Sequence, residues 1–251
     1  MARFVTLITG ASAGIGVEFA RLCAARGEEV ALVARRRDRL DALAAELGGK
    51  AHVFATDLAA PDAAGSLIAT IEAEGLTIDT LINNAGFGAG GRFHEVAFER
   101  QHEMVVLNVA ALTDLTHLVL PGMIERGRGA ILNVASTAAF QPGPGGAVYF
   151  ATKAYVLSFS EALHQECKGT PIKVSCLCPG PTATEFFQAA GYAKPERKGK
   201  ADARSVAVAG LAGLDANRAV VVPGLGNKAT AQLNRFLPRA AMRRIVAAVR
   251  L

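Results

Sequence analysis

From the first residues to about Val222, short runs of apolar, often β-branched residues alternate with longer stretches in which apolar positions recur every three or four residues. The short runs predict strands and the longer stretches predict amphipathic helices. Strands are expected near 3–9, 29–34, 51–56, 79–83, 129–135, 172–178 and 219–222. Helices are expected near 14–26, 37–47, 62–74, 98–126 and 147–168, with shorter ones near 202–214 and in the tail. Regular alternation of this kind is the mark of βαβ units, and strands that are apolar almost throughout fit a sheet covered by helices on both faces. A single doubly wound α/β domain follows. Residues 184–200, rich in Lys, Gly and Pro, break the alternation and read as a substrate lid, and 226–251 reads as a helical tail.

Composition narrows the class. A chain of 251 residues, 51% hydrophobic and 20% charged, with 26 glycines and no tryptophan, suits one globular enzyme domain. Cys23, Cys167, Cys176 and Cys178 lack the spacing of a zinc site and read as reduced core residues, so no metal is expected. The N-terminus runs directly into a glycine turn without the apolar region of a signal peptide, and no apolar stretch of about 18 residues suited to spanning a membrane is expected. A cytoplasmic protein is therefore anticipated. The net charge of +5 helps attract anionic ligands but is diffuse, and nucleic acid is not an expected partner. In the tail, Arg235, Arg239, Arg243, Arg244 and Arg250 interleave with apolar residues. That pattern serves a helix packed on the body or on a second subunit, or less simply a lipid surface.

Thr9-Gly10-Ala11-Ser12-Ala13-Gly14-Ile15-Gly16 follows the first strand and opens the first helix, the setting of a glycine-rich phosphate turn. Gly10 can permit the tight turn, while Gly14 and Gly16 permit close approach of a pyrophosphate and of helix to strand; Ser12 and Ile15 belong to the same candidate site. The second strand ends in Arg35-Arg36-Arg37, where dinucleotide folds place an acid against the adenosine ribose. Arg35 and Arg36 are donors suited to a 2′-phosphate, which favours NADP(H) over NAD(H); the plainer alternative is a solvated basic start to a helix. Asp57, before Leu58, can accept from an adenine amino group or cap its own turn. Asn83-Asn84-Ala85-Gly86 lies at the carboxyl edge of the sheet, where open α/β folds bind ligands, and at least one of the two amides is expected to be structural.

Tyr149 and Lys153 are four residues apart, which on a helix places a phenol and an ammonium on one face. A phenol titrates near pH ~10, so proton transfer at neutral pH needs a nearby positive charge, which Lys153 is placed to supply. Ser136 ends the fifth strand and can donate to the substrate oxygen that the tyrosine protonates. Asn108 lies within a helical apolar pattern, where a buried amide needs partners or a water. After the sixth strand, Pro179-Gly180-Pro181-Thr182-Ala183-Thr184 forms a rigid turn whose backbone can face a nicotinamide amide.

Over residues 3 to 188 this ordered set resembles the short-chain dehydrogenase/reductase family in its roughly 250-residue branch. The resemblance implies a seven-stranded, mainly parallel Rossmann-type sheet in the order 3-2-1-4-5-6-7. It also implies a catalytic tetrad of Asn108, Ser136, Tyr149 and Lys153, and cofactor contacts from Gly10, Ser12, Gly14, Ile15, Gly16, Arg35, Arg36, Asp57, Leu58, Asn83, Ala85, Gly86, Pro179, Gly180, Thr182 and Thr184. In that scheme Tyr149 is the general acid or base, Ser136 positions the substrate oxygen, Lys153 binds the nicotinamide ribose and Asn108 supports a proton relay. The family further implies a homodimer or homotetramer built on the helices near 98–126 and 147–168; the departure after Val220-Val221-Val222 favours the dimer. The alternative, a catalytically silent NADP(H)-sensing protein of the same fold, has no need of the tetrad. Phe87, Phe93, Phe140, Phe186, Phe187 and Tyr192 point to an apolar carbonyl or alcohol substrate, or to core packing.

Overall fold

In chain order the elements are β1 (Arg3–Thr9), α1 (Ile15–Ala25), β2 (Glu29–Ala34), α2 (Arg37–Leu47), β3 (Ala51–Ala55), α3 (Ala63–Ala73) and β4 (Leu76–Asn83). They continue with α4 (Phe98–Val105), a π-helical turn (Val106–Ala111), α5 (Leu112–Arg126), β5 (Ala130–Val134), a 3₁₀ turn (Thr137–Phe140), α6 (Ala147–Glu166) and β6 (Lys173–Leu177). Last come α7 (Phe186–Ala189), α8 (Ala203–Asp215), β7 (Val220–Val221), α9 (Leu225–Leu233) and α10 (Arg239–Arg250). The computed structural model describes residues 3–191, 200–233 and 236–250; Tyr192, Arg235 and much of the expected lid lie outside the described residues.

The strands form one sheet in the order 3-2-1-4-5-6-7 with every pairing parallel. Successive residues of a strand point to opposite faces, so a strand apolar at every position must be covered twice. Val5 and Leu7 of β1, Ile131 of β5 and Val174 of β6 pack on the side of α3, α5 and α6. Their neighbours Ile8, Leu132 and Leu177 pack with Phe19 of α1 and with Val206 and Leu211 of α8 on the other. The crossovers change direction between β1 and β4, and the site is built at that switch point.

Helix 98–126 is continuous but carries the π-helical turn in its middle. It corrects one expectation: this helix is 29 residues long with a mean hydropathy of 1.6 in its most apolar stretch, enough by length and composition to cross a membrane. The physical reason is that its two sides are both apolar. Ala111, Leu115, Val119 and Met123 enter the core, while Leu118 and Ile124 stay outside. In the tail, α10 buries Met242 and leaves Ile245 exposed.

Two glycines with ordinary backbone angles give opposite expectations. A Cβ on Gly213 of α8 would collide with Val221 Cγ2 of β7, so Gly213→Ala is expected to cost about 1–3 kcal/mol through overpacking. A Cβ on Gly65 of α3 would meet nothing within 4 Å, so Gly65→Ala is expected to stabilise by about 0.5–1 kcal/mol. Urea denaturation of the two variants reads both signs.

Candidate active site

Gly10 and Gly14 adopt φ of 67° and 57°, a region that glycine enters without steric cost. A Cβ on Gly10 would lie 2.9 Å from both Ala85 Cα and Asn84 Nδ2, and one on Gly14 would lie 2.8 Å from Thr184 Cγ2. One on Gly16 would run into the Gly10 carbonyl. The turn is tied across the switch point by Thr9, whose Oγ1 accepts from Asn84 N at 3.0 Å and Ala85 N at 2.9 Å. Asn84 Nδ2 donates back to Thr9 O at 2.9 Å. The first N–H groups of α1 receive no side-chain cap, which leaves them available to an anion in the crevice.

Asn83 turns inward. Its Nδ2 donates to Thr116 Oγ1 at 3.1 Å and to Asn133 Oδ1 at 3.0 Å, and Asn133 Nδ2 donates to Ser160 Oγ at 3.0 Å. The side chains of Asn83 and Asn84 therefore both serve the framework. Leu58 and Ile15 give their side chains to the core, and Asp57 Oδ1 accepts from Ala59 N at 3.1 Å, capping its own turn. At these positions only the backbone, or the second oxygen of Asp57, is left for a ligand.

The arginines after β2 divide. Arg35 Nη1 pairs with Glu103 Oε1 of α4 at 2.9 Å and lies 4.0 Å from Asp57 Oδ2. Arg36 donates to Ser12 Oγ at 3.1 Å and to Glu185 Oε2 at 3.2 Å. Arg39 joins the same carboxylate at 2.7 Å. Arg39 and Glu185 did not stand out in the sequence, although Arg39 lies one helical turn beyond Arg36.

Tyr149 and Lys153 lie on the buried side of α6. The phenol ring packs with Phe186 at 5.3 Å and Phe150 at 6.0 Å between centroids, among Met104, Ala138 and Phe87. Ser136 is extended and caps the 3₁₀ turn: its Oγ accepts from Ala138 N at 3.1 Å and donates to Pro179 O at 3.4 Å, a long bond. Asn108 lies in the π-helical turn. Its Oδ1 accepts from Phe87 N at 3.1 Å, while Nδ2 donates to Phe87 O at 2.9 Å and to Thr152 Oγ1 at 3.1 Å. Thr152 Oγ1 donates to Tyr149 O at 2.8 Å, so the buried amide finds protein partners. A Cβ on Gly86 would stand 2.9 Å from Asn108 Oδ1 and 3.4 Å from Lys153 Nζ. Asn108 and Lys153 thus approach each other beside Gly86, while Tyr149 and Ser136 both lie against Ala138.

Residues 4–194 match the family of short chain dehydrogenases. The chain belongs to that family. Over 198 residues this dehydrogenase is 38% identical to the NADP-dependent 3-hydroxy acid dehydrogenase YdfG of Salmonella typhi, covering 78% of this chain and 80% of that one. It is similar to a short-chain dehydrogenase from Sphingobium yanoikuyae in complex with NADPH, at 34% identity and a TM-score of 0.81 over 94% of this chain and 97% of that one. It is also similar to a 7β-hydroxysteroid dehydrogenase, at 26% identity and a TM-score of 0.87 over 97% and 96% of the two chains. It is an oxidoreductase of CH–OH and C=O groups in small molecules.

In this dehydrogenase the rest of the turn after β6 closes the crevice. Pro179 O accepts from Thr137 N at 2.8 Å. A Cβ on Gly180 would collide with Asn227 of α9. Thr182 Oγ1 donates to Gly180 O at 3.0 Å, and Thr184 Oγ1 accepts from Phe186 N at 3.3 Å.

Burial dominates the electrostatics of Lys153. Its Nζ donates to Val134 O at 2.7 Å, and desolvation pulls its pKa from the ordinary 10.5 to about 8. Between those two values the unfolded chain holds the proton and the folded protein does not, so stability climbs as the pH rises through this window. Below pH 8 the folded protein carries the full cost of the buried charge. Lys153→Met removes that cost, while its penalty for leaving Val134 O without a donor is the same at every pH. The stability of Lys153→Met relative to the natural protein is therefore expected to be about 2 kcal/mol more favourable at pH 7 than at pH 10, measured by urea denaturation without cofactor.

Proposed function

We propose that this dehydrogenase uses NADP(H) to interconvert a carbonyl compound with an apolar substituent and its alcohol, with Tyr149 as general acid and base. The observation that carries the reading is the α6 pair: an ammonium buried on the same helix face as the phenol. A charge held there favours the phenolate and makes the phenol a usable acid near neutral pH.

The residues present fit the dinucleotide. Glycines 10, 14 and 16 form a cradle that a Cβ would fill, uncapped N–H groups of α1 face it, and arginines rather than an acid follow β2. Arg36 and Ser12 would hold the 2′-phosphate, and Lys153 the nicotinamide ribose. When bound, the nicotinamide supplies hydride to, or takes it from, the carbon of the reacting C–O bond. In reduction, Tyr149 gives its phenolic proton to the substrate oxygen; in oxidation, the phenolate takes it back. Ser136 trades its long bond to Pro179 O for one to the same oxygen. Asn108 clamps the Phe87 backbone to α6, and its second Oδ1 lone pair is available to a water leading from Lys153 to solvent. Met104, Ala138, Phe87 and Phe186 around the phenol favour an apolar group next to the carbonyl. The four free buried cysteines suit a reducing compartment such as the cytoplasm.

We also assign a homodimer to the outer side of helix 98–126. Leu118 and Ile124 are exposed there at 44% and 50%, beside hollows of about 500 and 420 Å³ that share His117 in their walls. Isolated apolar residues are ordinary on a surface, but two on one helix beside such hollows form a patch.

Tyr149→Phe is expected to keep NADPH affinity and to lower turnover ~10²- to 10⁴-fold, followed as NADPH absorbance across a panel of aldehydes and ketones. Near-normal turnover would sink the mechanism. Replacing Leu118 and Ile124 together by glutamate is expected to convert the dimer to a monomer in light scattering; an unchanged mass would move the interface elsewhere.

A further inference from the structure

The carboxylate of Glu185 lies where the 2′-phosphate of the proposed cofactor would be bound. Its Oε1 accepts from Arg39 Nη1 at 2.7 Å and its Oε2 from Arg36 Nη1 at 3.2 Å. Arg36 meanwhile donates from Nη2 to Ser12 Oγ at 3.1 Å, and so reaches the glycine turn itself. Two guanidinium groups and a hydroxyl at a phosphate turn form a donor set suited to a phosphate dianion. One of the chain's own carboxylates fills it. Arg35 is held apart by Glu103 at 2.9 Å and by Asp57 at 4.0 Å, so Arg36 and Arg39 are the cations that Glu185 engages. Arg39 and then Arg36 hold the Glu185 carboxyl below its ordinary range, keeping it ionised.

The neighbours of Glu185 give the contact its reach. Thr184 lies against Gly14, and Phe186 lies against the Tyr149 ring at 5.3 Å between centroids. Three consecutive residues thus touch the pyrophosphate turn, the arginines and the phenol.

We propose that Glu185 is a tethered competitor for the 2′-phosphate: an arriving phosphate displaces its carboxylate from Arg36 and Arg39 and frees the segment that carries Phe186 against Tyr149. The proposal rests on the NADP(H) reading. A cofactor without the 2′-phosphate leaves the carboxylate in place, so Glu185 holds down the affinity for NADPH and not for NADH. Side chains here are 42% to 53% exposed, where an ion pair changes affinity by a modest factor.

Dissociation constants for NADPH and NADH, measured by calorimetry on the natural protein, Glu185→Gln and Glu185→Ala, test the idea. Both variants are expected to bind NADPH about three- to tenfold more tightly with NADH unchanged, and the unchanged NADH value also reports intact folding. Adenosine 2′,5′-bisphosphate should reproduce the gain and 5′-AMP should not. Arg39→Ala is expected to weaken NADPH several-fold, because the arginine passes from Glu185 to the phosphate. If the natural protein binds NADPH no better than NADH, the NADP(H) reading falls. If it prefers NADPH but the Glu185 variants bind NADPH no more tightly, or tighten NADH equally, the competitor role falls and the cofactor reading stands.

Discussion

Everything at the site depends on how closely the ends of β1 and β4 approach each other. Thr9, almost fully buried, accepts two backbone N–H groups from Asn84 and Ala85 on one hydroxyl oxygen. No space for a side chain remains at Gly10 or Gly16 beside it. The knot closes the crevice floor with backbone rather than side chains, which lets a large, charged ligand lie across the sheet edge while contacting mainly N–H groups. It also sets where Gly86 runs, and Gly86 in turn leaves room for Asn108 and Lys153 to approach each other.

Behind the crevice, polar groups in the interior are handled in two different ways. Asn83, Asn133, Thr116 and Ser160 satisfy one another and nearby carbonyls, linking β4, β5, α5 and α6 in a network without net charge. Such a network is tolerated inside a protein because its donors find partners. Lys153 follows the opposite logic. Among the described residues it has one hydrogen bond, to a carbonyl, and no carboxylate pairs with it, so burial works against its charge. The framework stabilises; the lysine is strained electrostatically where the proposed proton transfer calls for a positive field, which is the usual trade between stability and activity.

Much of this was legible in the sequence because it rests on local rules. Continuous apolar runs announced strands covered on both faces, and the glycine turn announced the switch point, since both follow from backbone sterics within a few residues. The elements missed depend on distant partners. β4 begins at Leu76, three residues earlier than its pattern indicated, because Thr77 and Ile78 pair with β1. At least one of Asn83 and Asn84 reads as structural from the sequence, but the partners that hold Asn83, Thr116 and Asn133, lie 33 and 50 positions away and are not announced locally. Glu185 and Arg39 are 146 positions apart in the chain, and nothing in either neighbourhood announces the other. The short helix α7 inside the expected lid was likewise invisible, since four residues are too few to show a period.

The π-helical turn at Val106–Ala111 also sets the phase of the long helix around it. A π turn accommodates one residue more than an α turn, and one residue corresponds to about 100° of rotation about a helix axis. Ahead of the turn Met104 faces the phenol, and beyond it Leu115, Val119 and Met123 face the sheet. A chain one residue shorter here would form a regular helix yet swing one of those two faces away from its target, so the bulge lets a single helix serve the reacting end and the core together.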